Sequence, residues 1–433
     1  MAALVRCNPG GFSPHIPRVD MGRTVVIFAA GSRGDVQPCL ALGRGLKRQG
    51  DVVRVIASHR YHGLITEAGL EFHSLSLDPA EIIASPEGKE LLAGGRSAMK
   101  FIRGVHRILG PLIARMLSEV QTGVAGADLV LTPGLSFLGL HLSQYLEVPY
   151  AVIHFQPSHP CAAFPHPFLP AARFLGGFGN RLSFYAVDLA SWLACRQAVN
   201  TWRRESLRLS PMSPLGPFRH ARSAPVLCAF SPVVVPRPSD WGSNVHVTGY
   251  WFHEQPSWTP SPDLLAFLDS GPPPVYVGFG SMSTGDSEAT GRVVRAALRR
   301  AGLRGVLTGE PATSDDDVLV VGDVPHSWLF PRMAAVVHHG GAGTTAAALR
   351  AGVPSLVCPF FGDQPYWAER VHRLGAGPKP LPARHLTVPV LTERLRAVTG
   401  NSEYTDSALR LGRVLSAEDG VAHACRALDQ LTR

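Results

Sequence analysis

The sequence predicts an α/β protein with two domains, and three observations support this prediction. The chain has 433 residues, which is too long for one ordinary core and suits two domains of roughly 200 residues each. Short apolar runs alternate with helical segments in both halves, a rhythm typical of parallel sheets covered by helices. Hydrophobic residues make up 45% of the chain, enough to fill two cores.

The first half supplies the strands of one predicted sheet. Residues 23–30 form an apolar run that predicts a buried parallel strand, and a helix is predicted at 37–49 after the polar loop GSRGD. Further strands are predicted at 51–58, 128–133, 150–155, 226–230 and 246–251, with a helical region at 168–209. Ligands of such sheets bind beyond the carboxyl ends of the strands, so the loops there are candidates for a site.

The second half repeats this pattern and suggests the domain boundaries. Strands are predicted at 275–281, 318–324, 334–339 and 355–359, and helices at 286–301, 344–351 and 404–432. The proline-broken stretch around 236–262 is the predicted connection between the domains. We therefore expect a disordered leader at 1–21, an N-terminal domain at 22–240, a linker at 241–262, a C-terminal domain at 263–405 and a helical tail at 406–433.

Cysteine usage and hydropathy indicate a cytoplasmic protein. The seven cysteines are scattered and include no CxxC pair, which indicates reduced thiols rather than a disulfide framework. The sequence contains no run of about 18 apolar residues that would span a membrane. The N-terminal stretch lacks an apolar segment of signal-peptide length, so we expect a disordered leader ahead of a start near Met21.

Charge is distributed unevenly along the chain. Residues 1–220 contain 22 Lys and Arg against 14 Asp and Glu, which accounts for the whole net charge of +8. The cations are dispersed, without a basic run or an aromatic RNA motif, which argues against a nucleic-acid partner. Two interpretations remain: an arginine-rich solvated surface, or a basic face that makes peripheral contact with an anionic membrane or an acidic ligand.

The strongest chemical signal is the segment HHGGAGTT at 338–345, between a predicted strand and a predicted helix. Glycines let the backbone approach a ligand closely, and a helix N-terminus offers unpaired N–H groups at a positive dipole end. The combination suits a diphosphate. His339 can add a hydrogen bond to a phosphate oxygen, while Thr344 and Thr345 can donate to it or cap the helix. The alternative is a tight strand–helix connection without a ligand.

A second class of function fits the same turn. The segment GAGTTA at 341–346 matches the GxGxxG/A fingerprint of NAD(P)-dependent oxidoreductases, and Asp363 lies 20 residues beyond Gly343. In that fingerprint the acidic residue belongs at the tip of the next strand, whereas Asp363 follows a PFFG loop and adjoins Gln364. The turn also lies late in the chain. Both points count against the oxidoreductase.

Two acidic segments carry further signals. Asp363 and Gln364 place a carboxylate beside an amide, which suits the hydroxyls of a sugar, although a polar surface turn would look the same. The run DDD at 315–317 is similar to a DxD metal motif. It lies in a polar loop that contains no histidine, so we favour a solvated charge run and predict no metal site.

Six segments follow one another in a fixed order along the chain: GSRGDVQP (31–38), HVTGYW (246–251), GPPPVYVGFGSM (271–282), VPHSWLFP (324–331), HHGGAGTTAAALRAGVP (338–354) and PFFGDQPYWAERV (359–371). In this order they resemble the motifs of nucleotide-sugar glycosyltransferases. The likeness is greatest to sterol 3β-glucosyltransferases and to the bacterial enzymes that glycosylate polyketides and glycopeptides. The resemblance spans about 22–380. It implies the GT-B fold, in which two Rossmann-like domains face each other across a cleft.

The resemblance assigns the nucleotide-sugar donor to the C-terminal domain and the acceptor to the N-terminal domain. The residues that it implies at the phosphates are His339, Gly341, Gly343, Thr344 and, after that domain's first strand, Ser281. We group Gly34, in the N-terminal motif, with these donor contacts.

The same resemblance implies contacts to the sugar and to the base of the nucleotide. Asp363 and Gln364 would hold the hexose, and the stretch from Val324 to Trp328 would lie near the base. Plant relatives carry a base-stacking tryptophan that this sequence lacks at the matching place. UDP-glucose is the favoured donor, and a dTDP-sugar is the alternative.

Asp35 is the candidate general base. A hydroxyl that attacks a sugar must lose its proton, and the bacterial and sterol branch of the family carries an Asp at this place in GSRGD. The alternative role is a helix cap, with the carboxylate accepting from free N–H groups. His154 and His159, after another strand, are runner-up bases and candidate acceptor contacts, and each could equally be a satisfied core histidine.

The predicted function is a metal-independent, inverting transfer of a hexose to a hydroxyl of an apolar small molecule such as a sterol, a polyketide or a lipid. We expect no cofactor beyond the nucleotide-sugar co-substrate. Two alternatives stay open: an NAD(P)-dependent oxidoreductase, and a non-catalytic lipid-binding protein of the same fold. Stabilisation by UDP rather than NADH would exclude the first, and any response to a nucleotide would count against the second.

Overall fold

The structure is a computed structural model that describes residues 22–76, 78, 112–133, 136–217, 223–255, 258–280, 287–308 and 314–431. Two of the sequence predictions, the leader at 1–21 and the phosphate contact Ser281, lie outside the described residues. The described chain contains two parallel β-sheets flanked by helices, which confirms the predicted α/β class with two Rossmann-like domains.

The N-terminal sheet has seven parallel strands. They are β1 (Thr24–Phe28), β2 (Val52–Ser58), β3 (Glu71–Leu75), β4 (Leu129–Pro133), β5 (Tyr150–His154), β6 (Val226–Cys228) and β7 (Val245–Val247). Their order in the sheet is β3-β2-β1-β4-β5-β6-β7. The central strands are apolar and buried because helices cover both faces of such a sheet. The strand order reverses between β1 and β4, which is where a ligand is expected.

The helices of the N-terminal half are α1 (Arg33–Arg48), α2 (His62–Glu67), α3 (112–123), α4 (Ser136–Leu146) and α5 (Gly176–Glu205). Helix α1 begins four residues before the predicted start at 37, so Asp35 is its third residue rather than a loop residue. The physical reason is Ser32, which acts as the N-cap and lets the helix start inside a segment whose composition favours a loop.

The C-terminal sheet has five parallel strands: β8 (Val275–Gly278), β9 (Gly305–Thr308), β10 (Val318–Val321), β11 (Ala335–His338) and β12 (Ser355–Val357). Their order is β10-β9-β8-β11-β12, and the strand order reverses between β8 and β11. The helices are α6 (Pro262–Asp269), α7 (Ser287–Ala301), α8 (His326–Leu329), α9 (Ala342–Arg350), α10 (Gln364–Arg373), α11 (Val388–Gly400), α12 (Ser402–Ala417) and α13 (Gly420–Leu431).

The C-terminal tail crosses back to the N-terminal domain. Residues of α13, including Cys425 and Leu428, are buried in the same core as β1 and α1. Arg23, at the start of β1, donates a hydrogen bond to Asp429 at 2.8 Å. A Cβ at Gly45 would lie 2.4 Å from a methyl carbon of Val421, so glycine allows α1 and α13 this close approach. The last helix of the predicted tail is therefore a part of the first domain's packing.

The first domain also extends beyond its predicted end at 240. Strand β7 lies inside the predicted linker at 241–262, where it pairs in parallel with β6. The strand predicted at 246–251 is therefore present but shorter, at Val245–Val247. The N-terminal sheet therefore ends at Val247, and the bounds of the two domains stay a prediction.

Candidate active site

The turn after β1 holds the candidate base. The backbone N–H and the hydroxyl of Ser32 both donate to Oδ2 of Asp35, at 2.7 and 2.9 Å. Gly31 leaves room for this contact, since a Cβ there would lie 2.3 Å from Oδ2. Asp35 thus takes part in the cap of its own helix, as the alternative reading proposed. Its second oxygen, Oδ1, accepts no hydrogen bond from the described residues and can meet a hydroxyl.

Burial sets the base strength of Asp35. Its side chain is half-buried at the surface of the cleft. Burial raises the pKa of Asp35, and the hydrogen bonds from Ser32 lower it to a smaller extent. A raised pKa makes the carboxylate a stronger base than an ordinary one.

The turn after β11 presents a helix N-terminus that no side chain caps. Gly341 is the N-cap of α9. The first helical hydrogen bond runs from the N–H of Thr345 to the Gly341 carbonyl at 2.9 Å. The N–H groups of 342–344 precede that bond and have no acceptor in the described part of the chain. This segment includes the predicted cradle residues Gly343 and Thr344, and its donors are placed to bind an anion.

His339 lies beside this turn, and the glycines around it leave room for its ring. Gly340 has a φ of +93°, and a Cβ at Gly341 would lie 2.5 Å from Nε2 of His339. Burial lowers the pKa of His339 to about 4, and an interaction with the Gly278 backbone opposes the shift. The ring is therefore neutral near pH 7 and can donate one N–H to a phosphate oxygen.

Asp363 follows β12 and precedes α10. Its Oδ2 accepts a hydrogen bond from Nε1 of Trp367 at 2.7 Å. Burial raises the pKa of Asp363 to about 6, the Trp367 hydrogen bond lowers it, and the charge of Asp35 raises it further. The carboxyl group can thus accept from a sugar hydroxyl when ionised, in keeping with its predicted role.

The Gln364 side chain stabilises the loop before Asp363, a role that the sequence does not predict. Its side chain is buried, and its Oε1 accepts from the N–H groups of Phe360 at 2.8 Å and Phe361 at 3.2 Å. The amide oxygen therefore fixes the loop before Asp363. Only the amide NH₂ group remains for the predicted contact to a hexose.

The two domains meet at these turns. The charge of Asp35, from the N-terminal domain, acts on the pKa of Asp363, from the C-terminal domain. Arg33, the first residue of α1, forms an ion pair with Asp323, which follows β10. The candidate base and the candidate sugar contact therefore lie on the sides of the two domains that meet here.

The segment predicted to contact the base of the nucleotide has two faces. The ring of Trp328 lies 5.2 Å from the ring of Trp258 and beneath the guanidinium of Arg332, and Val324 packs against the same core. Successive helical residues are about 100° apart, so His326 points away from Trp328. Burial lowers the pKa of His326 to about 4, and the charges of Arg33 and His339 contribute.

His326 lies within the predicted stretch from Val324 to Trp328 but is not one of the two residues predicted there, and it lies on the opposite side of the helix from Trp328. Its ring stacks on Phe330 at 4.3 Å. The contact of Trp328 with Trp258 cannot be read from the sequence, because 70 positions separate the two residues. Assignment of the base contact to Val324 and Trp328 stays a prediction, with His326 added as a competing candidate.

His154 and His159 lie together near the carboxyl end of β5. Their ring centroids are 6.4 Å apart, and His159 packs edge-on against Trp241 at 5.9 Å. His154 is 9% exposed, and burial lowers its pKa to about 3, with smaller contributions from His159 and His166. A histidine of such low pKa is a weak base, which counts against the runner-up base role. The acceptor contact stays a prediction, and the burial of His154 fits a core histidine equally well.

Gly34 is exposed at the second position of α1, and an added Cβ would meet only the Ser32 hydroxyl, at 3.5 Å.

The described residues include no cluster of three His, Cys, Asp or Glu that could hold a metal ion. Asp315 accepts N–H groups within its own turn and pairs with Arg295 at 3.1 Å. No helix among the described residues is long and apolar enough to cross a membrane.

Known proteins resemble the chain over nearly its whole length. Residues 25–129 match the family model of the glycosyltransferase family 28 N-terminal domain, and residues 310–427 match that of the erythromycin biosynthesis protein CIII-like C-terminal domain. O-mycaminosyltylonolide 6-deoxyallosyltransferase of Streptomyces fradiae is 35% identical over 94% of this chain and 97% of its own. The chain belongs to this glycosyltransferase family.

Two further proteins resemble the chain, one in its sequence and one in its structure. Sterol 3-beta-glucosyltransferase UGT80B1 of Arabidopsis thaliana is 36% identical to this glycosyltransferase. The match covers 94% of this chain and 67% of the plant protein. The crystal structure of Streptomyces sp. SF2575 glycosyltransferase SsfS6, complexed with thymidine diphosphate, has a TM-score of 0.61 and 21% identity, covering 94% of this chain and 99% of that one. The fold is therefore GT-B, and the glycine turn belongs to a glycosyltransferase rather than to an oxidoreductase.

Proposed function

We propose that this glycosyltransferase moves a hexose from a nucleotide-sugar to a hydroxyl group of an apolar small molecule, with inversion at the anomeric carbon. One arrangement carries the proposal: Asp35 lies in the turn after β1, an uncapped helix N-terminus follows β11, and the ion pair of Arg33 with Asp323 joins the two domains beside them. The arrangement supplies a base and an anion site.

The mechanism is a one-step displacement. The acceptor hydroxyl transfers its proton to Asp35 as its oxygen forms a bond to the anomeric carbon. The bond from that carbon to the diphosphate oxygen breaks at the same time. The nucleoside diphosphate leaves with the electron pair, and solvent later removes the proton from Asp35. Because the new bond forms opposite the old one, the configuration inverts.

Fixed donors stabilise the leaving group in this mechanism. The N–H groups of 342–344 and the neutral ring of His339 face the position proposed for the diphosphate. These groups act without a metal ion, so we propose that turnover needs none. Turnover that is lost in EDTA and restored by Mg²⁺ or Mn²⁺ would contradict this proposal.

We propose UDP-glucose as the donor, with a dTDP-sugar as the alternative. The name of the Arabidopsis relative supports a glucosyl group, whereas the Streptomyces relative is named for a deoxyhexose and the SsfS6 structure contains thymidine diphosphate. The same names support a sterol or a macrolide-like acceptor. We propose that His154 and His159, whose rings pack together and against Trp241, line the acceptor side of the site.

The test is a thermal-shift series followed by turnover. UDP or dTDP should raise the melting temperature, and NADH should not. Donor turnover on sterols and polyketide alcohols should then give a product of inverted anomeric configuration, read from its proton coupling constant. A retained configuration would overturn the mechanism. Acceptor binding with no nucleotide response would instead indicate a lipid-binding protein of the same fold.

A further inference from the structure

A cluster of large apolar side chains faces solvent beside the acceptor side of the cleft. Phe174 is 78% exposed, Phe178 is 77% exposed and Leu175 is 68% exposed. We call the whole set the apolar ridge: Phe168, Leu169, Phe174, Leu175, Phe178 and Leu182. Single exposed apolar residues are ordinary, but a contiguous set with several aromatic rings marks an interaction surface.

The apolar ridge is not an outer layer of the protein core. It includes a 3₁₀ turn at Pro170–Leu175 and the first turns of α5. Phe178 and Leu182 are four residues apart on the helix and share its outer face. The inner face of the same turns is separate, because Asn180 and Phe184 are buried there. The core is therefore complete without the apolar ridge.

The charges around the apolar ridge favour an anionic partner. The stretch 148–187 contains no Asp or Glu. Arg173 is exposed and lies 5.1 Å from the ring of Phe174, so a cation stands among the apolar side chains. Arg181 pairs with Asp240 and contributes less. Exposed aromatic rings beside arginine are the combination found at the interface of lipid bilayers.

The apolar ridge is continuous with the active site. A Cβ added at Gly362 would lie 3.8 Å from Cε1 of Phe168, and Gly362 immediately precedes Asp363. The ring of Phe168 also lies 5.0 Å from that of His166. An apolar molecule that crosses the ridge would therefore reach the sugar site without leaving a protein surface.

We propose that the apolar ridge docks this glycosyltransferase on the surface of an anionic lipid bilayer. Its phenylalanines and leucines insert among the acyl chains, and Arg173 meets the headgroup phosphates. The mouth of the cleft is then held at the bilayer, where an apolar acceptor is dissolved. Bilayer binding follows from the ridge alone, whereas delivery of the acceptor rests on the proposed function.

The test compares vesicle binding of matched variants. The wild-type protein should sediment with vesicles of phosphatidylcholine and phosphatidylglycerol, and less with phosphatidylcholine alone. Phe174→Ser/Phe178→Ser should lower the partition coefficient by at least about tenfold, since two rings no longer enter the bilayer. Leu215→Ser/Val414→Ser also removes two exposed apolar side chains but lies off the ridge, so its binding should be unchanged. Equal melting temperatures would show that all variants are folded.

The outcomes separate the docking surface from the activity. Absence of wild-type binding, or equal binding by the ridge variant, overturns the proposal. A wild-type dimer that the ridge variant breaks, with no vesicle binding, would show that a second copy covers the ridge and would also overturn it. If a sterol is glycosylated in vesicles but the ridge variant works only on the sterol in detergent, delivery is supported. Vesicle binding without turnover in either form contradicts the proposed function alone.

Discussion

The turns after β1 and β11 share one architecture and differ in what occupies the helix N-terminus. Each follows a strand where the strand order of its parallel sheet reverses, and each opens a helix. In the first turn the carboxylate of Asp35 accepts from Ser32. In the second turn the N-cap is Gly341, which has no side chain to do so.

This difference separates two kinds of chemistry on the same scaffold. A helix start that holds its own carboxylate repels a further anion, so the first turn is suited to proton transfer. An uncapped helix start attracts one, so the second turn is suited to a diphosphate. In the proposed mechanism the placement of one acidic residue thus distinguishes the acceptor side from the donor side.

The largest effect should come from removing the charge of the first turn. Asp35→Asn keeps the size of the side chain but cannot accept a proton near neutral pH. We expect kcat to fall by about 10²–10⁴-fold, the usual contribution of a general base. Stabilisation by UDP or dTDP should barely change, because the proposed diphosphate site lies in the other domain. Turnover and the nucleotide-induced shift in Tm measure the two effects.

Asp35→Ala is the companion variant, because it also removes the contact to Ser32. A pure capping role predicts a loss of about 1 kcal/mol in stability with catalysis largely kept. If Asp35→Asn turns over at nearly the wild-type rate, the base is another group, and His154 and His159 would be examined next.

The second prediction places a carboxylate in the second turn. Gly343 is exposed, and an added Cβ meets no atom within 4 Å, so a side chain fits there. Gly343→Asp should weaken the binding of UDP or dTDP by roughly a hundredfold, since a fixed negative charge then faces the diphosphate. Gly343→Asn is the matched control, since it is nearly the size of Asp but uncharged, and it should weaken binding much less in calorimetry. Equal affinity in both variants would remove this helix end from the donor site.

The third prediction concerns the neutral donor beside the same turn. His339→Ala should weaken nucleoside diphosphate binding by about tenfold, the usual size for a lost hydrogen bond to a charged group. His339→Gln can still donate and should recover part of the affinity. An unchanged thermal shift in His339→Ala would exclude this residue from the site.

Local patterns predict much of this fold, and long-range contacts account for the rest. The β-branched run of β1 identifies a buried strand directly. The four-residue β9 and the polar β3 give no comparable signal, and neither is predicted. The start of α1 at Arg33 is missed because glycine and serine suggest a loop, and only the contact from Ser32 to Asp35 shows the cap.

The candidate site likewise has features that local patterns predict and features that depend on contacts in the folded chain. The glycine turn at 338–345 is predictable, since spacing alone places glycines between a strand and a helix. The role of Gln364 is not predictable, because its amide oxygen accepts hydrogen bonds from the backbone N–H groups of Phe360 and Phe361. Nor can the sequence separate the two faces of α8, since Trp258 decides which way Trp328 turns.

The smallest predicted effect is a pH dependence of stability that Asp363 imposes on the protein without ligand. Its pKa is about 6 in the folded protein and 3.8 in an ordinary carboxyl group. Between these values the folded state binds more protons than the unfolded state. The stabilisation is therefore complete below pH 4, is lost as the pH rises through about 6, and is absent above that.

Asp363→Asn tests this sign and joins the two turns in one experiment. The variant keeps an oxygen that can accept from Trp367 but cannot ionise, so the Tm of the wild type relative to the variant should fall as the pH rises from about 4 to 7. The charge of Asp35 contributes to the raised pKa, so Asp35→Asn should reduce that fall. Parallel Tm curves for Asp363→Asn and the wild type would mean that Asp363 has an ordinary pKa. A fall that Asp35→Asn leaves unchanged would mean that the first turn's charge does not reach the donor domain.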